Sequence, residues 1–339
     1  MRVLRGLEGT SSLRGCAVAI GNFDGVHLGH RRLLETARAR AATHRTPSVA
    51  LTFDPHPARV LRPRMAPPTL TPLPRKLELL EEAGIDVAVV LPFDMPYAAT
   101  SAVDFVKRDL CARLGASDVV VGWDFTAGHE RARVDALREM LLACGIGLSV
   151  IQPVSADGLT VSSTKVREFL LEGNVEAAAV LLGRPHDVEA VVERGAGRGR
   201  AIGFATANLR PEGLLPALGV YAARVRLGVG LRPDGVAHGE GARTSDAVCN
   251  LGVKPTVEEA GPVGLEAHLF HHDGSDLYGE RIRVEFVGRI RAERRFPSLE
   301  ALRTQIAADV VAARELLARA SGANAETAPN SEGLRPRVS

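Results

Sequence analysis

Residues 21–30 read Gly21-Asn22-Phe23-Asp24-Gly25-Val26-His27-Leu28-Gly29-His30, set between an apolar run and a helical one. Before it, Cys16-Ala17-Val18-Ala19-Ile20 is short and wholly apolar, as a parallel strand buried on both faces is. After it, Leu33, Leu34 and Ala37 recur at helical spacing, and a helix is expected from about Gly29 to Ala42. Strand, glycine-rich turn and helix in that order begin a doubly wound parallel sheet. The turn places His27 and His30 at the helix mouth, where unpaired N–H groups and a partial positive charge attract phosphate. Gly21, Gly25 and Gly29 let a bulky ligand approach the backbone. Either histidine alone reads as a surface residue on a tight turn. The pair in this frame points to a nucleotide α-phosphate.

Outward from this stretch the alternation continues to about residue 183. Strands are expected at Ser48–Phe53, Val87–Leu91, Val119–Val121 and Leu148–Ile151, with helices near Arg75–Ala83, Ala102–Leu114, Val134–Cys144 and Thr164–Leu171. The proline-rich segment Leu61–Pro74 reads as an irregular loop. From about Pro185 the pattern changes to short alternating runs: Val188–Glu193, Val220–Leu227, Ala247–Leu251, Glu266–Phe270 and Arg281–Phe286. Evenly spaced short strands with Gly, Pro and Asp turns predict a small antiparallel barrel. A helix over roughly Ser298–Arg319 closes it, and the small, polar residues 320–339 are expected to be disordered. The fold class is α/β: a doubly wound parallel-sheet domain over residues 1–184 and a β-barrel domain over 185–319.

Two domains also suit a chain of 339 residues, and 45% hydrophobic content is ample for packed cores. A net charge of +2 gives no support to nucleic-acid binding. Cys16, Cys111, Cys144 and Cys249 are scattered, which argues against a zinc site or a disulfide framework. No apolar run has the length of a membrane span and no secretory segment opens the chain, so a cytoplasmic protein is expected. A homo-oligomer is compatible with all of this.

Further motifs carry chemistry. Thr52-Phe53-Asp54-Pro55-His56-Pro57 and Val121-Gly122-Trp123-Asp124-Phe125 each follow a strand, where sheet ligands bind. Ser162-Ser163-Thr164-Lys165-Val166-Arg167 opens a helix with hydroxyls and cations, which suits either a plain cap or a triphosphate. Residues 195–209 hold four glycines and two arginines, then Thr206 and Asn208. That run is either a surface loop or a phosphate cradle through Gly197, Gly199 and Arg200, and Thr206 and Asn208 offer the oxygen ligands magnesium prefers.

Together these motifs resemble the bacterial bifunctional riboflavin kinase/FAD synthetases, over about residues 1–319. The resemblance implies two ATP-dependent steps, riboflavin to FMN in the barrel and FMN to FAD above the sheet. It gives His27 and His30 to the α-phosphate. Gly21, Phe23, Asp24 and Gly29 then belong to the nucleotide site, with Ser163, Thr164 and Arg167 on the outer phosphates and Asp124 at the flavin or nucleotide pocket. Gly197, Gly199 and Arg200 cradle phosphate in the barrel, and Thr206 and Asn208 bind Mg-ATP. Glu266, in Leu265-Glu266-Ala267-His268, matches the catalytic base; unaided it reads as an outward strand residue. Two departures stand out. Ala127 replaces an aromatic, where a ring packed on isoalloxazine contributes about 1 kcal/mol, and Ala205 replaces a proline that pre-orders the metal turn. The alternatives are the same fold with only the kinase step active, or a flavin-binding module without turnover.

Overall fold

The computed structural model describes residues 1–194, 204–232, 234–238, 243–253, 263–271 and 276–326. Six parallel strands form the first sheet: β1 (Arg2–Arg5), β2 (Ala17–Ile20), β3 (Ser48–Asp54), β4 (Val87–Pro92), β5 (Asp118–Gly122) and β6 (Gly147–Ile151). Their order is β1-β4-β3-β2-β5-β6. Every residue of β2 is buried, which explains why its sequence shows no alternation. β3 lies on one side of β2 and β5 on the other, so the chain reverses direction across the sheet there. The loop at 21–27 leaves β2 at this switch point, where doubly wound sheets bind their ligands. Edge strand β1 has only four residues and two arginines, too little pattern to be read from sequence.

The helices are α1 (Leu28–His44), α2 (Pro57–Leu61), α3 (Leu73–Glu82), α4 (Met95–Ala98), α5 (Ala102–Asp104), α6 (Val134–Ala143), α7 (Ser163–Glu172) and α8 (Val175–Leu182). α5 runs into a π-helical segment over Phe105–Arg113. The expected loop at 61–74 is only partly irregular, since a 3-10 turn occupies Pro63–Met65 and α3 begins at Leu73. Prolines at the first positions of helices cost no hydrogen bond, which is why a proline-rich run accommodates both.

After a short ribbon of β7 (Ser155–Ala156) and β8 (Leu159–Thr160), the chain enters the barrel. Its strands are β9 (His186–Glu193), β10 (Ala207–Glu212), β11 (Gly219–Leu227), β14 (Arg243–Val253), β15 (Val263–Leu269) and β16 (Arg281–Arg291). They close in the order β10-β15-β14-β11-β16-β9, with a ribbon of β12 (Gly230–Leu231) and β13 (Ala237–His238) outside. β10 was not expected, because Ala-Asn-Leu-Arg-Pro-Glu lacks the β-branched alternation of a strand. α9 (Leu299–Glu326) packs Ala313 and Leu317 on Val220, Ala222 and Val248. Residues 320–326 are therefore helical where disorder was expected, in keeping with the alanines that follow Arg319. Residues 327–339 lie outside the described ones.

The domains share more than a linker. Val166, Leu170, Val175 and Leu181 of α7 and α8 belong to one core with Val188, Tyr221, Leu251 and Phe286 of the barrel. Beside it, Arg75 of α3 clasps Asp187 of β9 through two hydrogen bonds of 3.0 and 3.1 Å. Arg283 of β16 pairs with Glu78 of α3 and, at 2.8 Å, with Glu189 of β9. Arg283, Asp187 and Glu189 are all buried. Burial alone raises the Asp187 carboxyl, but Arg75, Arg184 and Arg283 outweigh it and hold the group well below the usual carboxylate range.

Candidate active sites

At the switch point His27 caps α1. Its Nδ1 accepts the His30 N–H at 3.2 Å, which leaves Nε2 to carry the proton and donate outward. The two imidazoles stack with centroids 3.6 Å apart and planes 15° from parallel. The glycine at 29 leaves room for the His27 ring, because a Cβ would lie in tight contact with it at 3.1 Å. Burial pushes His27 down to about 4, against a smaller pull from Asp24. Burial also pushes His30 well below its ordinary range, with His27 and Lys76 adding to the shift. Both rings are neutral at physiological pH. Neutral rings offer hydrogen bonds rather than charge, and positive potential at this point comes from the helix end and nearby cations.

Four residues assigned to this site also make contacts within the fold. Phe23 is fully buried in a core with Leu34, Leu77 and Leu80, and its ring meets His30 edge-on at a centroid distance of 5.4 Å. The Phe23 backbone has φ 49°, and Val26 has φ 41°, left-handed values that non-glycine residues adopt at a cost of roughly 1–3 kcal/mol. The Asp24 carboxylate accepts the Leu70 and Thr71 N–H groups at 3.2 and 3.0 Å and pairs with Arg167. Arg167 is buried and also donates to the Pro68 carbonyl at 2.8 Å. The Ser163 hydroxyl donates to the Asp24 carbonyl at 2.8 Å. Thus the 21–30 and 162–167 motifs do meet, as the resemblance implied, but Asp24, Ser163 and Arg167 hold the loop at 68–71 to α7. Thr164 is exposed at the start of α7.

Asp124 is exposed at the end of β5, next to a half-exposed Trp123. Ala127 is buried and bridges to Ala132, and Glu130 accepts the Ala102 N–H at 2.8 Å. The altered loop therefore closes on itself and caps α5. A cleft of about 460 Å³ opens beside Asp24, lined by Asp54, His56, Arg59 and Lys76 and reaching Glu212 and Gly213 of the barrel. Lys76 is the residue that the sequence reading passed over. Its position on α3 carries no motif, and only the fold brings it to the site.

In the barrel, β10 pairs Asn208 with Glu193 on one side and Glu266 on the other, and β14 pairs Asn250 with Glu266. Leu209, Leu265, Ala267 and Cys249 alternate with these and point inward, so the polar set shares the outer face. Directly opposed residues have Cβ atoms about 4.5–5.5 Å apart, which brings Glu266 beside Asn208. Thr206 stands two residues before Asn208, and the carbonyl of Ala205 lies 2.8 Å from His268 Nδ1. Gly197, Gly199 and Arg200 lie outside the described residues.

Comparison with known proteins matches both halves of the chain. Residues 9–165 match the FAD synthetase family and residues 182–317 the riboflavin kinase family. A bifunctional riboflavin kinase/FMN adenylyltransferase of Pseudomonas fluorescens is 38% identical over 94% of this chain and 98% of its own. The Bacillus subtilis protein of the same description is 34% identical over 86% of this chain and 89% of its own. A solved structure from Streptococcus pneumoniae, described as a macrolide-efflux protein, covers 93% of this chain and 99% of its own at TM-score 0.81 and 26% identity. Among the described residues no helix is long and apolar enough to cross a membrane. With both halves matched in order and nearly full length covered, the chain belongs to the family of bifunctional riboflavin kinase/FMN adenylyltransferases.

Proposed function

We propose that this chain, acting in the cytoplasm, phosphorylates riboflavin to FMN at the barrel and adenylylates FMN to FAD at the switch point of the sheet. The observation that supports it most is the presence of two separate polar sites, each suited to one of the two steps. In the first step Glu266 takes the proton of the ribityl 5′-hydroxyl as that oxygen attacks the γ-phosphorus of ATP. The bond from γ-phosphorus to the bridging oxygen breaks and ADP leaves. Thr206 and Asn208 present oxygen donors beside Glu266, the ligand type that Mg2+ takes, and they are the residues that would hold it. Bound there, the ion would neutralise charge on the transferring phosphate.

In the second step an FMN phosphate oxygen attacks the α-phosphorus of ATP and pyrophosphate leaves. The attacking group is already an anion, so no general base is needed and the protein's work is alignment and charge stabilisation. His27 and His30 donate neutral hydrogen bonds to the α-phosphate above the α1 N-terminus. Ser163, Thr164 and Arg167 form the wall of this site, and Asp124 marks its far rim.

A chromatographic time course with riboflavin, ATP and magnesium tests the reading. FMN appearing first and FAD second is the expected result. Glu266→Gln should abolish FMN formation and still convert supplied FMN to FAD. Loss of both steps in that variant would overturn the division of labour. FMN accumulating without FAD in the unaltered chain would mean that only the kinase is active, and the closed loop around Ala127 would be the first place to look.

A further inference from the structure

Lys76 sits in the first turn of α3 and lines the cleft, yet it is only 5% exposed. Among the described residues no acceptor is hydrogen-bonded to its ammonium and no carboxylate pairs with it. The two carboxylates whose fields reach it, Asp24 and Asp54, lie at the ends of β2 and β3. Asp24 is already committed to Arg167 and two backbone N–H groups. Asp54 is exposed to water at the strand end. His56 lines the same cleft, and both it and His30 of α1 feel the lysine as a positive charge. Burial lowers the Lys76 pKa, and the two aspartates pull it back up.

A largely buried lysine without a direct acceptor is costly, and proteins keep one where an anion is to be bound or a proton moved. Adenylyl transfer between two phosphates leaves no proton for a lysine to carry. Cationic donors fixed before the substrate arrives stabilise charge that develops in the transition state, with no reorganisation at the moment of reaction. We propose that Lys76 is a catalytic residue of the adenylylation step, contacting a substrate phosphate held in the cleft that it lines with Asp24, Asp54 and His56. This rests on the assignment of FMN adenylylation to the sheet domain. The phosphate belongs either to ATP or to FMN, and the chemistry of recognition is the same for both.

The test uses the full chain with Lys76→Met, Lys76→Gln and Lys76→Arg. Steady-state rates of FMN to FAD are measured while ATP and FMN are varied in turn, and riboflavin phosphorylation on the same preparations reports folding. Loss of one such donor typically lowers the rate about 10²–10³-fold, and that loss is expected for Met and Gln, with Arg recovering part of it. Riboflavin phosphorylation should stay within about twofold of the unaltered chain. A KM rise for ATP alone identifies a nucleotide phosphate, and a rise for FMN alone identifies the flavin's; a fall in kcat with both KM values unchanged identifies a transition-state contact. FAD formation by Lys76→Gln at the unaltered rate would overturn the proposal. So would a parallel fall of both activities in all three variants, which marks a structural lysine. An unaltered chain that makes FMN and never FAD instead refutes the adenylylation reading itself.

Discussion

The neutrality of His27 and His30 makes the proposed α-phosphate site sensitive to acid in a definite direction. Burial holds His27 at about 4, with Asp24 opposing, whereas the unfolded chain titrates near the ordinary histidine value of about 6.5. Between those limits the unfolded state binds the extra proton. Stability is therefore full above pH 6.5 and declines as the pH falls towards 4, by on the order of 3 kcal/mol from this one ring. His30 shifts in the same direction and adds to the loss. His27→Asn keeps an N-cap acceptor for the His30 N–H and removes the titrating ring. Urea unfolding at pH 7 and pH 4.5 should show a smaller acid loss for this variant than for the unaltered chain. Equal losses would mean that His27 does not set the acid limit.

Between elements, Asp24 ties together what the sequence presents far apart. Its side chain joins the loop after β2 to residues 68–71 and, across 143 residues of chain, to α7. Asp24→Ala leaves Arg167 buried without a carboxylate and the Leu70 and Thr71 N–H groups without an acceptor, so a loss of roughly 3–5 kcal/mol is expected. Thermal unfolding should show it, and FAD formation should fall with it; an unchanged melting temperature would show that water replaces the carboxylate. This is also the scale at which sequence reading gave out. The His27 cap, the glycine at 29 and the start of α7 are local, and their neighbours lie within a turn of helix. The occupation of Asp24 and Arg167 by one another, and the arrival of Lys76 in the cleft, depend on packing of α3 against the sheet and of α7 against the barrel. No periodicity encodes that. In the barrel, Glu266 was assigned through a motif, while its opposition to Asn208 follows only from a register that includes the unforeseen β10.

For the whole molecule, the question is whether two domains with two activities unfold as two units. Reading from composition shift alone puts a boundary near residue 184, and a boundary of that kind usually marks a loose joint. Here α7 and α8 bury their apolar faces in the barrel core, and Arg75, Glu78, Asp187, Glu189 and Arg283 form a charged cluster between α3, β9 and β16. A cluster so buried is screened little by salt, unlike surface pairs. It contributes less through net attraction than through the penalty for breaking it, because each charge left behind lacks water. The two domains should therefore melt in one transition at neutral pH, scarcely altered by added salt. Asp187→Asn removes the carboxylate that faces Arg75 and Arg184 and should cost about 3 kcal/mol. Because α3 belongs to the sheet domain and β9 to the barrel, that loss falls on the joint, and calorimetry should resolve two transitions in the variant where the unaltered chain shows one. A single transition persisting in the Asp187→Asn variant would mean that the shared core of α7 and α8, rather than the ion cluster, sets how the domains are coupled. Two transitions already present in the unaltered chain would mean that neither couples them.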